Sequence, residues 1–150
     1  LYVAWQDARF SSGARDGIAL TRSVDGGLSW SVPAGVNSQP GVAAFTPTVH
    51  VRDDGVIGVI YYDFRSNTSD PATLFADCWL AISTDGVNFT ESHVTGPFDL
   101  DRAPNADGLF LGDYQGLASV GADFRPFFVA TNAAGGANLT DVFMAFGPIP

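Results

Sequence analysis

Two Asp-x-Arg tripeptides end aromatic-rich segments and carry side chains that could transfer protons and bind an anion. Asp7 and Arg9 follow YVAWQ, and Asp63 and Arg65 follow GVIYY. A carboxyl group can act as a general acid, a general base or a nucleophile. The planar guanidinium of arginine binds a carboxylate through two parallel hydrogen bonds. Asp7 and Asp63 are therefore candidate catalytic acids or bases, and Arg9 and Arg65 are candidate ligands for an anionic group of a substrate.

A third polar segment, GDYQG at 112–116, adds Asp113, Tyr114 and Gln115. Glycines on both sides of these residues indicate that the backbone comes close to another group. Asp113 is a further candidate acid or base, Gln115 is a candidate substrate-binding residue, and Arg102 in the preceding polar loop is a third candidate anion ligand. An architectural role stays open for the Asp-x-Arg pairs, since an ion pair or turn cap at a strand end can also lock neighbouring sheets together.

Strands are the elements that must position these side chains. The chain has no lysine, one glutamate (Glu91), seventeen glycines and nine prolines, a composition that disfavours amphipathic helices. Short segments rich in Val, Phe, Thr and Tyr alternate with turn residues, which predicts an all-β fold. The predicted strands are 1–6, 17–24, 29–36, 46–52, 56–63, 74–83, 88–95, 113–120, 125–132 and 141–147.

An internal repeat favours a β-propeller over a sandwich. Asp63 lies 56 residues after Asp7, and Ser83 lies 60 residues after Ser23. A unit of this length holds about four short strands, which is typical of one propeller blade.

The segment SVDGGLSW, at 23–30, predicts a tight hairpin turn. A short Asp side chain can accept backbone N–H bonds that the turn leaves unpaired, and glycine supplies a positive φ. The tryptophan is expected to begin the next strand and cover the turn with its ring. We expect a folding role for this motif and for its weaker second copy. The residues are Ser23, Asp25, Gly27, Ser29 and Trp30 in the first copy, and Ser83, Asp85, Gly86 and Phe89 in the second.

On the segments YVAWQDARF, TRSVDGGLSWS, VIYYDFR and LGDYQGLAS, the chain resembles the sialidase superfamily of Asp-box, or BNR-repeat, six-bladed β-propellers. The resemblance implies blades of four antiparallel strands, A to D outward from a central channel, with Asp boxes opposite the active face. It maps 1–36 onto strands B to D of one blade, 46–95 onto a complete blade and 113–147 onto strands A to C of a third. Six blades need more than twice this length, so the remaining blades of a longer parent chain are expected partners.

The resemblance implies a secreted bacterial glycoside hydrolase that cleaves a terminal sugar, with a glycan as its substrate. Sialidases use a tyrosine nucleophile, which makes Tyr114 a candidate catalytic residue and Tyr61 and Tyr62 candidates for nucleophile or substrate contact. The R-I-P segment of the family is not present, and Glu91 falls in a predicted outer strand with no evident link to a tyrosine. A non-catalytic propeller that binds carbohydrate or protein is therefore the alternative.

Composition excludes several other classes of partner. The net charge of −9 disfavours nucleic acid, because little positive charge is present to displace counterions. No apolar run approaches the ~20 residues of a membrane span. The single cysteine, Cys78, excludes an internal disulfide and is expected to be a small buried residue.

No cofactor is expected, and histidine catalysis is disfavoured. His50 and His93 each stand alone in a strand pattern, where hydrogen-bonded structural histidines are common. Calcium is a lesser possibility through carboxylate oxygens, at Asp53 with Asp54 or at Asp99 with Asp101.

Overall fold

Antiparallel strands make up the regular structure of the chain. The computed structural model describes residues 1–112, 115–133 and 137–146. Within these ranges there is no α-helix, and two short 3-10 helices cover Ala8–Ser11 and Leu100–Arg102. The strands are β1 (Tyr2–Asp7), β2 (Gly17–Arg22), β3 (Ala34–Gly35), β4 (Ala44–Val51), β5 (Ile57–Asp63), β6 (Phe75–Ser83), β7 (Thr90–Asp99), β8 (Gly116–Val120), β9 (Asp123–Thr131) and β10 (Thr140–Met144). No helix in the described part of the chain is long and apolar enough to cross a bilayer.

The strands form three open sheets in chain order. The first sheet is β1-β2-β3, the second is β4-β5-β6-β7, and the third is β8-β9-β10. Each strand pairs with its neighbour in sequence, because short turns can join antiparallel strands directly. The all-β prediction is confirmed, whereas three open sheets do not by themselves establish a propeller.

Every predicted strand overlaps an observed one, but the predicted strand 29–36 is much too long. Only Ala34 and Gly35 pair with β2. The carboxylate of Asp25 accepts the Ser29 N–H and keeps that part of the chain in the turn. Pro33 has no N–H for a ladder, which further shortens the strand. The predicted strand 113–120 begins at residues outside the described ranges, and β8 covers its later part.

The second sheet lies between the other two and is buried on both faces. Strand β5, with the sequence IGVIYYD, is buried along its whole length. Such continuous apolar runs are typical of strands that are covered on both sides. One face packs with Ile18, Leu20, Val36, Ala44, Ile57, Val59, Tyr61 and Ala81. The other packs with Ile60, Tyr62, Ala76, Cys78, Phe98, Leu100, Ala103, Phe128 and Ala130.

The strand ends of the three sheets lie along two opposite edges. On one edge, Gln6 Oε1 accepts the Thr46 N–H at 3.1 Å, which joins the end of β1 to the start of β4. The Thr131 hydroxyl donates to the Asp99 carbonyl at 2.9 Å, which joins β9 to β7. We call this the D-x-R edge, since residues 7–9 and 63–65 lie there. The other is the turn edge, with residues 23–30 and 83–89, where Gly86 lies beside the Tyr2 ring.

Candidate functional site

The carboxylate of Asp63 is fully buried and already bound to arginine. Asp63 is 0% exposed, and its Oδ2 atom lies 2.7 Å from Nη2 of Arg65. The Arg65 Nε atom donates to the same oxygen at 2.8 Å, and the Arg65 backbone N–H donates to Oδ1 at 3.2 Å. Charge-assisted hydrogen bonds of this kind are among the strongest between side chains. The predicted pair therefore forms, with its acid turned into the protein.

Arg65 also contacts three side chains that sequence reasoning did not combine with it. Its Nη1 atom donates to Glu91 Oε2 at 3.0 Å, and its Nη2 donates to the Tyr61 hydroxyl at 3.2 Å. The guanidinium carbon lies 3.6 Å from the centre of the Trp79 ring, in a cation–π contact. Arg65 thus contacts side chains of β5, β6 and β7.

Glu91 does contact a tyrosine, so the expectation that it has no such partner is wrong. The Tyr61 hydroxyl donates to Glu91 Oε1. The Ser38 N–H and hydroxyl donate to the two Glu91 oxygens, each at 2.6 Å. Ser38 lies in the connection from the first sheet to the second. The contact could not be found from local spacing, because β6 separates Tyr61 on β5 from Glu91 on β7.

The charges of this cluster follow from burial and hydrogen bonding. Burial, together with the bond to Glu91, raises the pKa of Tyr61 and keeps its hydroxyl protonated. Burial opposes ionisation of Glu91, but hydrogen bonds from Ser38 and Tyr61 outweigh it and lower the Glu91 pKa. Burial also opposes the charge on Arg65, and the bonds to Asp63 and Glu91 still raise its pKa. With Tyr61 0% exposed, the arrangement acts as an internal brace rather than an open catalytic site.

Asp7 and Arg9 repeat the pair in a more open form. Asp7 Oδ2 accepts from Trp5 Nε1 and from Arg9 Nε, both at 2.7 Å, and its Oδ1 accepts the Arg9 N–H at 2.9 Å. The backbone bond from Arg9 leads the effects that lower the Asp7 pKa. The Arg9 side chain is 49% exposed. An ionised Asp7 suits charge stabilisation or a base better than an acid.

In the third sheet, an amide stands at the strand end that matches Asp7 and Asp63, whereas the Asp123–Arg125 pair of that sheet lies at the opposite end of β9. Asn132 follows β9, and its Nδ2 donates to Asp141 Oδ2 at 2.7 Å. Asp113 and Tyr114 lie outside the described residues, so their catalytic roles stay predictions. The side-chain amide of Gln115 is buried and has no hydrogen-bond partner among the described residues.

Tyr62 lies in the core rather than facing solvent. Its hydroxyl donates to the Val129 carbonyl at 2.8 Å and accepts the Val129 N–H at 2.9 Å. Burial raises its pKa. Both hydrogen-bonding functions of the phenol therefore connect β5 to β9, and substrate contact by this side chain stays an untested prediction.

Arg102 stands beside an open cleft on the D-x-R edge. Its Nη1 donates to the Ala133 carbonyl at 3.0 Å, and its Nε lies 3.5 Å from Asp99 Oδ2. The side chain is half-exposed. The cleft has a volume of about 300 Å³ and lies between the second and third sheets, lined by Thr73, Phe75, Pro97, Phe98, Asp99, Arg102, Thr131 and Ala133.

Both predicted hairpin turns form, with the predicted hydrogen bonds. In the first copy, Asp25 accepts the Ser29 N–H at 3.0 Å and the Ser29 hydroxyl at 2.6 Å. In the second copy, Asp85 Oδ1 accepts the N–H groups of Val87 and Asn88, both at 2.8 Å. Gly27 and Gly86 have φ values of 95° and 76°. The remaining contacts join Ser23 to Asp25 and Gly27, and Ser83 to Asp85 and Gly86.

The aromatic residues of the two turns differ from expectation. Trp30 is 44% exposed and begins no strand, and its Nε1 donates to the Gly27 carbonyl at 3.1 Å. The prediction that Trp30 begins the next strand is therefore wrong, whereas its ring does lie on the turn, 3.8 Å from the position of a Cβ at Gly27. Phe89, its counterpart, packs against the core between the first two sheets.

The histidines and the cysteine have structural partners. His50 Nε2 lies 2.9 Å from the Ser119 hydroxyl, and His93 Nε2 lies 2.9 Å from Asp77 Oδ1. Cys78 is buried, and burial raises its pKa. In residues 1–112, 115–133 and 137–146, no three His, Cys, Asp or Glu side chains converge as metal ligands. Calcium at Asp53 with Asp54, or at Asp99 with Asp101, stays a prediction.

Comparison with models of known protein families, with curated proteins and with solved structures gives no match for this chain.

Proposed function

We propose that the chain is an arc of a sialidase-like β-propeller in a secreted glycoside hydrolase that cleaves a terminal sugar. The observation that carries this proposal is the separation of two motifs onto two edges. In consecutive sheets, the Asp-x-Arg strand ends share one edge, and the S-x-D-G turns share the other. The resemblance to sialidases implies the same arrangement, with the substrate bound on one face of the propeller and the Asp-box turns on the opposite face.

The D-x-R edge has residues suited to an anionic or hydroxyl-rich ligand. Arg9 is about half exposed and is held in place by Asp7. Asp7 is ionised and can stabilise positive charge that develops on a sugar ring in the transition state. Arg102 offers a second guanidinium beside the 300 Å³ cleft. In this proposal Asp113 is the acid or base and Tyr114 is the nucleophile, and Gln115, whose side-chain amide is buried, adjoins them in the sequence.

Asp63 and Arg65 serve the scaffold in this proposal. Their charges are satisfied by each other and by Glu91, in a cluster that joins the first and second sheets. They fix the position of the end of β5, and residues next to this strand end face the substrate. The Asp63–Arg65 pair is thus architectural, and the Asp7–Arg9 pair is functional.

A non-catalytic glycan-binding propeller is the second candidate. The burial of Asp63 favours it, because a fully buried carboxylate cannot protonate a leaving group. The engagement of both Asp7 oxygens favours it too. Both candidate functions require that the protein binds a glycan, but only the first requires that it hydrolyses one.

Incubating the protein with a panel of fluorogenic glycosides that includes a sialoside tests the first candidate. We expect turnover, and we expect Arg9→Gln to reduce it at least about tenfold, since a charged hydrogen bond contributes ~1.5–3 kcal/mol. Arg22→Gln is the matched control, because Arg22 is exposed and lies at the turn edge. Glycan-array binding without turnover would support the second candidate. Neither turnover nor binding, in protein that melts cooperatively, would contradict both.

A further inference from the structure

A small pocket at the D-x-R edge of the first sheet lies apart from the Arg102 cleft. Its volume is about 180 Å³. One wall comes from the loop between β1 and β2, with Phe10, Ser11 and Arg15. The other comes from β3 and the chain that follows it, with Gly35 and Asn37.

Arg15 is the cation of this pocket, and none of the described carboxylates pairs with it. Five of the seven arginines form ion pairs within 4 Å, namely Arg9, Arg52, Arg65, Arg102 and Arg125, which leaves Arg15 and Arg22. The Arg15 backbone is nevertheless fixed, since the Ser11 hydroxyl accepts its N–H at 2.8 Å and donates to its carbonyl at 2.6 Å. In a chain with a net charge of −9, an unpaired guanidinium on a fixed backbone favours an anionic ligand.

The rest of the pocket offers an apolar wall. A Cβ at Gly35 would lie 3.8 Å from the Phe10 ring, so that side of the ring lies close to β3, and Phe10 is still 38% exposed, which leaves part of the ring free for a ligand. The polar atoms of Asn37 are in use, because its Oδ1 accepts the Ile18 N–H at 2.7 Å and its Nδ2 donates to the Gln39 carbonyl at 3.2 Å. A ligand would therefore meet one cation and one aromatic face.

We propose that this pocket binds a sugar acid of a single ring, a hexuronate. Its carboxylate pairs with the Arg15 guanidinium, and the C–H face of its ring packs on Phe10. The pocket is smaller than the ~300–1,000 Å³ usual for drug-sized ligands, so one sugar ring suits it better than a disaccharide. The proposal does not depend on turnover, since the pocket holds none of the residues assigned to catalysis.

Ligand-observed NMR titration of the protein with glucuronate tests this proposal, with glucose as the neutral match. We expect glucuronate to bind and Arg15→Gln to weaken that binding at least about tenfold, since a charged hydrogen bond contributes ~1.5–3 kcal/mol. Arg22→Gln should leave it unchanged. Gly35→Val, whose γ-methyl groups would press on the Phe10 ring without changing charge, should also weaken it.

Three results would overturn the proposal: no saturable glucuronate binding, equal binding by Arg15→Gln, or equal binding of glucose. Thermal unfolding of each variant separates loss of the pocket from loss of the fold. The NMR titration measures binding and not turnover. A negative result in this titration therefore does not affect the interpretation of the glycosidase assay.

Discussion

At the scale of single residues, Arg65 shows how one side chain can hold several strands. It contacts Asp63 two residues away, Trp79 on the neighbouring strand and Glu91 one strand further on. Each partner satisfies a different part of the guanidinium, so little of its charge remains unpaired in the interior. Buried ion pairs are costly to desolvate, and the loss of one partner is therefore expensive.

Replacing Glu91 with glutamine should destabilise the protein by about 2–3 kcal/mol, because the Arg65 charge loses its second anionic partner inside the fold. The measurement is the free energy of unfolding from urea titration. Asp54→Asn is the control, since it removes one partner of the Arg52–Asp54 pair, in which Asp54 is 55% exposed. Exposed pairs contribute little. Equal losses in the two variants would contradict the bracing role of Glu91.

At the scale of elements, the S-x-D-G turns convert a short sequence into a fixed hairpin. Asp25 is held by Ser29 and Ser23, and Asp85 by the backbone of residues 87 and 88. These acceptors satisfy N–H groups that no strand partner reaches. The motif therefore acts through its own hydrogen bonds, and exposed Trp30 shows that a buried aromatic ring is not needed.

The carboxyl group of Asp25 should titrate near pH 2. Hydrogen bonds from the Ser29 hydroxyl and N–H, and then from Ser23, lower its pKa from 3.8 to about 2. A lowered folded-state pKa stabilises the fold above the unfolded value, and this stabilisation is lost as the pH falls toward 2. NMR titration of the Asp25 carboxyl carbon measures the midpoint directly. Asp25→Asn should show a smaller fall in melting temperature between about pH 4 and pH 2, and a midpoint at 3.8 in the wild type would contradict the hydrogen-bonded turn.

Most elements could be predicted from the sequence, because their signals are local. Alternation and turn residues located the strands, and the motif at 23–30 predicted its own hydrogen bonds. The sequence overestimates the length of strand β3, because the side chain of Asp25 accepts the Ser29 N–H that a longer strand would use for pairing. The partnership of Tyr61 with Glu91 could not be predicted, because it depends on the register of three strands. The sequence therefore predicts the individual residues of the candidate site. Their burial and their pairing become evident only when the arrangement of the sheets is known.

At the scale of the whole molecule, close approach between sheets fixes how they pack. Gly58 on β5 lies against Phe124 on β9, and a Cβ at Gly58 would lie 2.6 Å from the Phe124 ring. Tyr62 on the same strand binds both backbone groups of Val129 on β9. This steric fit and this paired hydrogen bond hold the second and third sheets together, along with the Thr131–Asp99 and His50–Ser119 hydrogen bonds.

Gly58→Ala should destabilise the protein by about 1–3 kcal/mol, because the added methyl group overfills the interface between the sheets. Urea unfolding measures the loss. Gly41→Ala is the control, since nothing lies within 4 Å of a Cβ there. Phe124→Leu in the Gly58→Ala background should restore part of the stability, and a Gly58→Ala variant as stable as the wild type would show that the sheets are not in this contact.

The segregation of the two edges has a consequence for how such a chain can change. Under the function proposed above, insertions or exchanges in the loop after β1 would alter what the molecule recognises, while the hairpin turns at the far edge would still direct the strands to the same partners. The loop after β5 is less free to change, because Arg65 in that loop braces three strands.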